Sequence, residues 1–207
     1  MHKYSLGEIR KMAKTENEKI SVENLFLREI NASYQEFVDL VHRGLDWVCQ
    51  EIARDPQHWS GSEDDITIRL IGRLKDLAFD AKHDQKIGGH CDIIIEFLGT
   101  YLWLGEAKKV ETADSNHING GFLQLTSRYC TGRPEHSQGG LIIYCVGSRS
   151  DKILGRWKEY FQDRYRDHEI LEIRNNEFWS RHEHERTGEP ITLRHLTVSL
   201  QFEPKDK

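Results

Sequence analysis

The sequence contains no apolar run approaching the ~20 residues a membrane-spanning helix requires. Its longest apolar stretches lie around residues 93–95 and 141–146. Residues 1–14 mix His, Lys, Glu and Arg and lack the apolar centre of a signal peptide, so a cytoplasmic protein is expected. The four cysteines, Cys49, Cys91, Cys130 and Cys145, include no C-x-x-C pair, which argues against a zinc ribbon or a dithiol redox motif. Cys91 and Cys145 lie inside apolar, strand-like runs, where free buried thiols are expected. Gly120-Gly121 and Gly139-Gly140, read as a helix start and a strand start, lack the Lys-Ser/Thr of a phosphate-binding loop. His117, His136, His182, His184 and His195 show no H-E-x-x-H or comparable zinc spacing, and His182-Glu183-His184 reads as an exposed, charged loop. There is no nucleophile elbow, internal repeat or low-complexity segment. A basic excess is also missing: the net charge is −5, which argues against a passive nucleic-acid binder but not against a site whose acids hold cations.

What is present fits one globular domain with a helical extension: 207 residues, 37% hydrophobic and 30% charged. Residues 21–52 carry Phe26, Ile30, Phe37, Leu40, Val41, Leu45 and Val48 at near-helical spacing, a stripe suited to covering a core. A second helix is expected to start near residues 60–65, with Ser62 as N-cap and Asp65 three residues on. Its apolar stripe is Ile66, Leu70, Leu74 and Leu77, and Glu63 falls near that inward face. Strands are expected over 79–86, 90–97 and 101–108, then a polar loop over 111–119 and a helix over 122–130. A buried strand over 139–147, a basic and aromatic helix over 153–165 and a late strand over 191–202 follow. The fold class expected is α/β, a mixed central β-sheet flanked by helices, with residues 1–57 as an N-terminal helical extension and 58–207 as the main domain.

The chemistry concentrates in Gly88-Gly89-His90-Cys91-Asp92-Ile93-Ile94-Ile95 and Leu102-Trp103-Leu104-Gly105-Glu106-Ala107-Lys108. Gly99 lies midway between Asp92 and Glu106, so a hairpin turning there sets the two acids opposite each other. Cross-strand neighbours have Cβ atoms ~5 Å apart. Two carboxylates that close repel unless a cation lies between them or one binds a proton. Lys108 shares the face of Glu106 by strand alternation. Two acids and a lysine on one face suit a hard cation such as Mg²⁺, with the Ala107 carbonyl as a further oxygen. The metal would polarise phosphate and activate water, and Lys108 is placed to handle that water or stabilise the phosphorane charge. His90, two residues before Asp92, reads as a structural histidine.

This pattern resembles the PD-(D/E)xK nuclease superfamily of restriction endonucleases, RecB-like nucleases and defence effectors. The match is Asp92 opening an apolar strand and Glu106-Ala107-Lys108 closing the next, over about residues 60–146, with no proline before Asp92. The resemblance implies a restriction-endonuclease-like fold and hydrolysis of DNA, with endonuclease action and a role in prokaryotic defence expected. It also implies Mg²⁺ or Mn²⁺ on Asp92, Glu106, Ala107 and Glu63, with Lys108 assisting the water. Gln124 and Tyr129 are similar to the Gln…Tyr pair of RecB-like members, with four intervening residues here instead of three. Gln124 and Arg128, at i and i+4, are expected to share a helix face that meets phosphate. Lys109 and Arg156 are further candidates for the nucleic acid. A homo-oligomer or a partner subunit held through the N-terminal helices is expected to help grip DNA. The other reading is an inactive nuclease-like fold serving as a binding or assembly module.

Overall fold

The computed structural model describes residues 4–56, 61–86, 89–204 and 206. The chain is an α/β protein: N-terminal helices precede a mixed seven-stranded sheet with helices on both faces. The helices are α1 (Leu6–Met12), α2 (Glu16–Glu29), α3 (Tyr34–Ala53), α4 (Glu63–Asp76), α5 (Ser115–Gln124) and α6 (Ser150–Arg164). The strands are β1 (Asp80–Lys82), β2 (Gln85–Lys86), β3 (His90–Cys91), β4 (Ile93–Phe97), β5 (Tyr101–Val110), β6 (Gln138–Cys145), β7 (Glu169–Arg174), β8 (Glu177–Glu183) and β9 (Pro190–Ser199). The sheet runs β1-β4-β5-β6-β9-β8-β7, and β2 and β3 form a separate two-stranded ribbon. β6 lies parallel to both β5 and β9, and the other pairings are antiparallel. Among the described residues no helix is long and apolar enough to cross a membrane.

The stripe expected to be one helix over 21–52 is two. Asn31 takes a left-handed conformation with φ 54°, and Ser33 then starts α3 with a capping box to Glu36. Phe37, Leu40, Val41, Leu45 and Val48 of α3 are buried, and they share a core cluster with Ile93, Ile95, Trp103, Ala107 and Ile142 of the sheet. Burying such a side chain stabilises by about 1.5–3 kcal/mol. α3 is therefore held as part of the core. Ile30, beyond the end of α2, is exposed. On the opposite face of the sheet, α5 and α6 bury Ile118, Phe122, Ile153, Trp157 and Phe161 against Ile94, Leu104, Leu141, Ile143 and Leu193.

α4 begins at Glu63 behind the Ser62 cap, with Asp65 closing the box; residue 60, and the expected boundary at 57–58, lie outside the described residues. The hairpin turns where expected, at Leu98 and Gly99 with φ 51° and 69°, so Phe97 faces Tyr101 and Ile93 faces Gly105. Two further expectations fail. Residues 111–119 are not all loop, because the Asp114 carboxylate accepts from the N–H groups of Asn116 and His117 and starts α5 early. Gly120 and Gly121 consequently lie inside the helix. His182-Glu183-His184 is not an exposed loop either: His182 lies in β8, and both it and His184 are buried under the end of the sheet.

All four cysteines are buried free thiols. The β8 and β9 end is tied to α3 by buried Arg194, which pairs with Glu177 and Asp46 and donates to the His42 carbonyl at 3.3 Å.

Candidate active site

The site forms where β4 leaves β5. The regular ladder ends at Ile93 and Gly105, and Asp92 sits in a bend between β3 and β4. Beyond this point β5 keeps β6 on one side, while its other edge is served by side chains. The Ala107 N–H donates to Asp92 Oδ2 at 3.0 Å, and the Lys109 N–H donates to Glu63 Oε2 at 2.5 Å. Two carboxylates thus replace a missing strand, which accounts for both the break at Asp92 and the docking of α4 through its first residue. Glu63 also stands at the helix N-terminus, where negative charge is favoured. Lys109 reinforces the junction by donating from Nζ to the Gly61 carbonyl at 2.7 Å, so this amine is committed to the α4 entry.

Glu106 and Lys108 alternate with Ala107 and face α5. Lys108 Nζ lies 2.6 Å from Glu106 Oε1 and 3.3 Å from Glu63 Oε1. Glu106 is only 1% exposed, and its second oxygen, Oε2, is buried without a hydrogen-bond partner. A buried acceptor left unmatched is uncommon and calls for a ligand or a proton. Burial and the nearby Asp92 charge push the Glu106 carboxyl up to about 7 despite the pull of Lys108. Burial likewise raises Asp92, against the Ala107 N–H and the Lys108 charge. Burial alone would lower Lys108, but its bond to Glu106 and the charges of Glu106, Glu63 and Asp92 outweigh this and hold it above its ordinary value. Lys108 is therefore a firm cation at neutral pH. Cys91, beside the hairpin, is pushed by burial up to about 12 and stays a thiol.

Helix α5 supplies the opposite wall. Gly121 packs on the Lys108 stem, and His117 brings Nε2 to 3.9 Å from Glu63 Oε2. After Gln124 the helix widens into a π-type turn, Leu125–Tyr129, closed by the Cys130 N–H on the Leu125 carbonyl at 3.0 Å. That extra residue per turn corrects the expected Gln124–Arg128 face: Gln124 Nε2 instead meets the Tyr129 hydroxyl at 3.5 Å. Tyr129 in turn donates to the His90 carbonyl at 2.6 Å, bracing the ribbon against the helix. Arg128 is exposed and passes beside Gly89, whose added Cβ would lie 3.8 Å from Arg128 Cδ. Arg156 sits on the exposed face of α6, and no described contact joins it to the acids.

Thus Asp92, Glu106, Ala107, Lys108, Lys109 and Glu63 come together, with Gln124 close by through Tyr129 and Arg156 apart. Two neighbours went unassigned from sequence. His117 precedes Gly121 by four residues and Gln124 by seven, one helical face that becomes visible once Asp114 is taken as the cap. His83 brings a buried Nε2, without a hydrogen-bond partner, to 3.9 Å from Asp64 Oδ1; nothing in its sequence context signals this. His90 is engaged with Asp84 at 2.7 Å.

The donor set suits a hard divalent cation: three carboxylates, of which Glu106 offers an unmatched buried oxygen. Among the described residues no three His, Cys, Asp or Glu are already gathered for coordination. The Lys108 ammonium lies between Glu106 and Glu63, and Asp92 and Glu63 each give one oxygen to a backbone N–H. Comparison with family models, with curated proteins and with solved structures finds no match for this chain.

Proposed function

We propose that the chain is a metal-dependent nuclease of the PD-(D/E)xK class, with a restriction-endonuclease-like fold, that hydrolyses phosphodiester bonds of DNA. The observation that carries this reading is buried Glu106, with one oxygen on Lys108 and the other unmatched, beside Asp92 and Glu63 at the end of one hairpin.

Mg²⁺ or Mn²⁺ held by Asp92, Glu106 and Glu63 would neutralise phosphate charge and lower the pKa of a bound water. The chain's own parts have separable tasks. The Ala107 N–H orients the Asp92 carboxylate. Burial keeps Glu106 ready to exchange a proton for a cation near neutral pH. Lys108, held between Glu106 and Glu63, would donate a hydrogen bond to the attacking water or to the developing phosphorane charge. Gly121 on α5 packs against the stem of that lysine, and exposed Arg128 offers a phosphate contact.

A second reading has its own support. Lys108 already neutralises Glu106 and Glu63, and Asp92 already serves the Ala107 N–H, so the same groups also suit a nuclease-like fold that binds without cutting. The two readings separate on supercoiled and circular single-stranded DNA incubated with Mg²⁺, Mn²⁺ or EDTA. Metal-dependent loss of closed circles by the wild type, abolished in Lys108→Ala, supports the nuclease. Retention of DNA without cleavage under either metal supports the binding module, and cleavage unaffected by Lys108→Ala removes this site from consideration.

A further inference from the structure

β7 forms one edge of the sheet: it pairs with β8 and, among the described residues, with no strand on its other side. Its sequence, Glu-Ile-Leu-Glu-Ile-Arg, contains neither the Lys nor the Pro that commonly guards such an edge, and only a bulge between Ile170 and Glu172 interrupts it. Leu171 is 45% and Ile173 57% exposed. The bulge also reorders the faces. Ile170 lies opposite Ser180 and Ile173 opposite Phe178, so both isoleucines point to the side that α6 covers. Glu169, Glu172 and Arg174, opposite Arg181, Trp179 and Glu177, point to the other side.

This edge is complementary to its own inverse. Laid antiparallel on a copy of itself about an axis between Leu171 and Glu172, Glu169 meets Arg174, and Ile170 meets Ile173, each twice. The bulged residue then falls at the axis, leaving a regular half-ladder on either side. Within the chain Arg174 is shared between Glu172 at 2.8 Å and Glu177 at 3.3 Å, whereas exposed Glu169 has no described ionic partner. We propose that β7 is the docking edge for a second copy of this chain, which continues the sheet across a two-fold axis and joins Glu169 of each copy to Arg174 of the other. The interface is isologous, so it closes at two copies and uses the β7 edge of both. It is also small beside the ~1,600 Å² of a standard interface, so the dimer is expected to be concentration-dependent.

Sedimentation equilibrium of the full chain over a wide concentration range tests this, with circular dichroism as the check on folding. The wild type should show a reversible monomer–dimer equilibrium. Ile173→Lys changes an exposed side chain, and Glu169→Arg sets like charges across the axis without touching a described ion pair. Each should keep the wild-type dichroism and weaken dimerisation about tenfold or more. A wild type that stays monomeric at every concentration overturns the proposal. So does a dimer indifferent to both substitutions, which would move the contact elsewhere, for instance to the exposed Ile9, Met12 and Leu25 of α1 and α2.

Discussion

Gly121 packs so tightly on Lys108 that a Cβ added there would stand 2.9 Å from both the Cγ and the Cε of that lysine, and 3.0 Å from Leu141. Its neighbour Gly120 would meet nothing within 4 Å. Both lie inside α5, where glycine is about 1 kcal/mol less favourable than alanine. Gly120→Ala should therefore stabilise the protein by roughly that amount. Gly121→Ala should lose that gain to overpacking, by about 1–3 kcal/mol, and should swing the Lys108 amine off Glu106. On the proposed function, a misplacement near 1 Å costs about a hundredfold in rate. Thermal unfolding and DNA nicking of the two variants check this, and equal behaviour in both would remove the packing argument.

The Glu106 carboxyl makes a second prediction, about pH. Its value is raised from 4.5 to about 7 on folding, mainly by burial and then by Asp92. The folded chain thus binds a proton that the unfolded chain releases, and this contribution is complete below pH 4.5 and lost as pH rises through about 7. Glu106→Gln lacks that loss. The stability of the variant relative to wild type should climb between those limits, by as much as roughly 3 kcal/mol if the whole shift is expressed. Urea titrations in EDTA at several pH values measure the slope, which matters more than the offset because glutamine also weakens the bond to Lys108. A flat difference would mean that Glu106 titrates normally.

How much of this was readable in advance depends on how local the signal is. The hairpin and its acids were readable because Gly99 lies midway between Asp92 and Glu106 and the apolar strands flank it symmetrically. The interruption at Asp92 was not, since it follows from carboxylates of Asp92 and Glu63 taking over N–H groups of β5, a long-range arrangement with no local mark. The break between α2 and α3 did have one, the capping pair Ser33 and Glu36, masked by an apolar stripe continuing across it. β7 and β8 were hidden for another reason. Their charged residues mask the strand pattern, and His182-Glu183-His184 reads as loop, yet Glu177 is neutralised by Arg194 and His182 is buried against Phe122 of α5 and His168. The π-type turn is legible only in hindsight, as the one extra residue between Gln124 and Tyr129.

Packing between α3 and the loop after α4 yields a third prediction. A Cβ at Gly44 would stand 2.5 Å from Cε2 of Phe79, a ring itself buried in the main core. The helix would gain from alanine, but Phe79 has no open side to move toward. Gly44→Ala should be destabilising by about 1–3 kcal/mol. Recovery of stability in the double variant Gly44→Ala with Phe79→Leu, measured in a double-mutant cycle, would locate the cause in that one contact. Independent, additive losses would place it elsewhere.

Acid should unfold this protein through histidines remote from the candidate site. Burial, with Arg194 nearby, lowers His42 from 6.5 to about 3. Burial lowers His182 to about 4, helped by His168 and His184, and His195 to about 3, helped by His182. His42 and His182 have no hydrogen-bond partner on either ring nitrogen, and His195 accepts from Trp157 Nε1 at 3.2 Å. All three are neutral when folded and take up protons when unfolded. Their contribution is complete above pH 6.5 and is lost progressively as pH falls toward about 3. The unfolding midpoint in urea should fall steadily below pH 6.5, with uptake of more than one proton in the transition. His182→Phe should reduce that slope, because a phenyl ring fills the same stacked position beside Phe122 and His168 without titrating. An unchanged slope in this variant, with the fold intact by circular dichroism, would show that His182 is already protonated or solvated in the native protein.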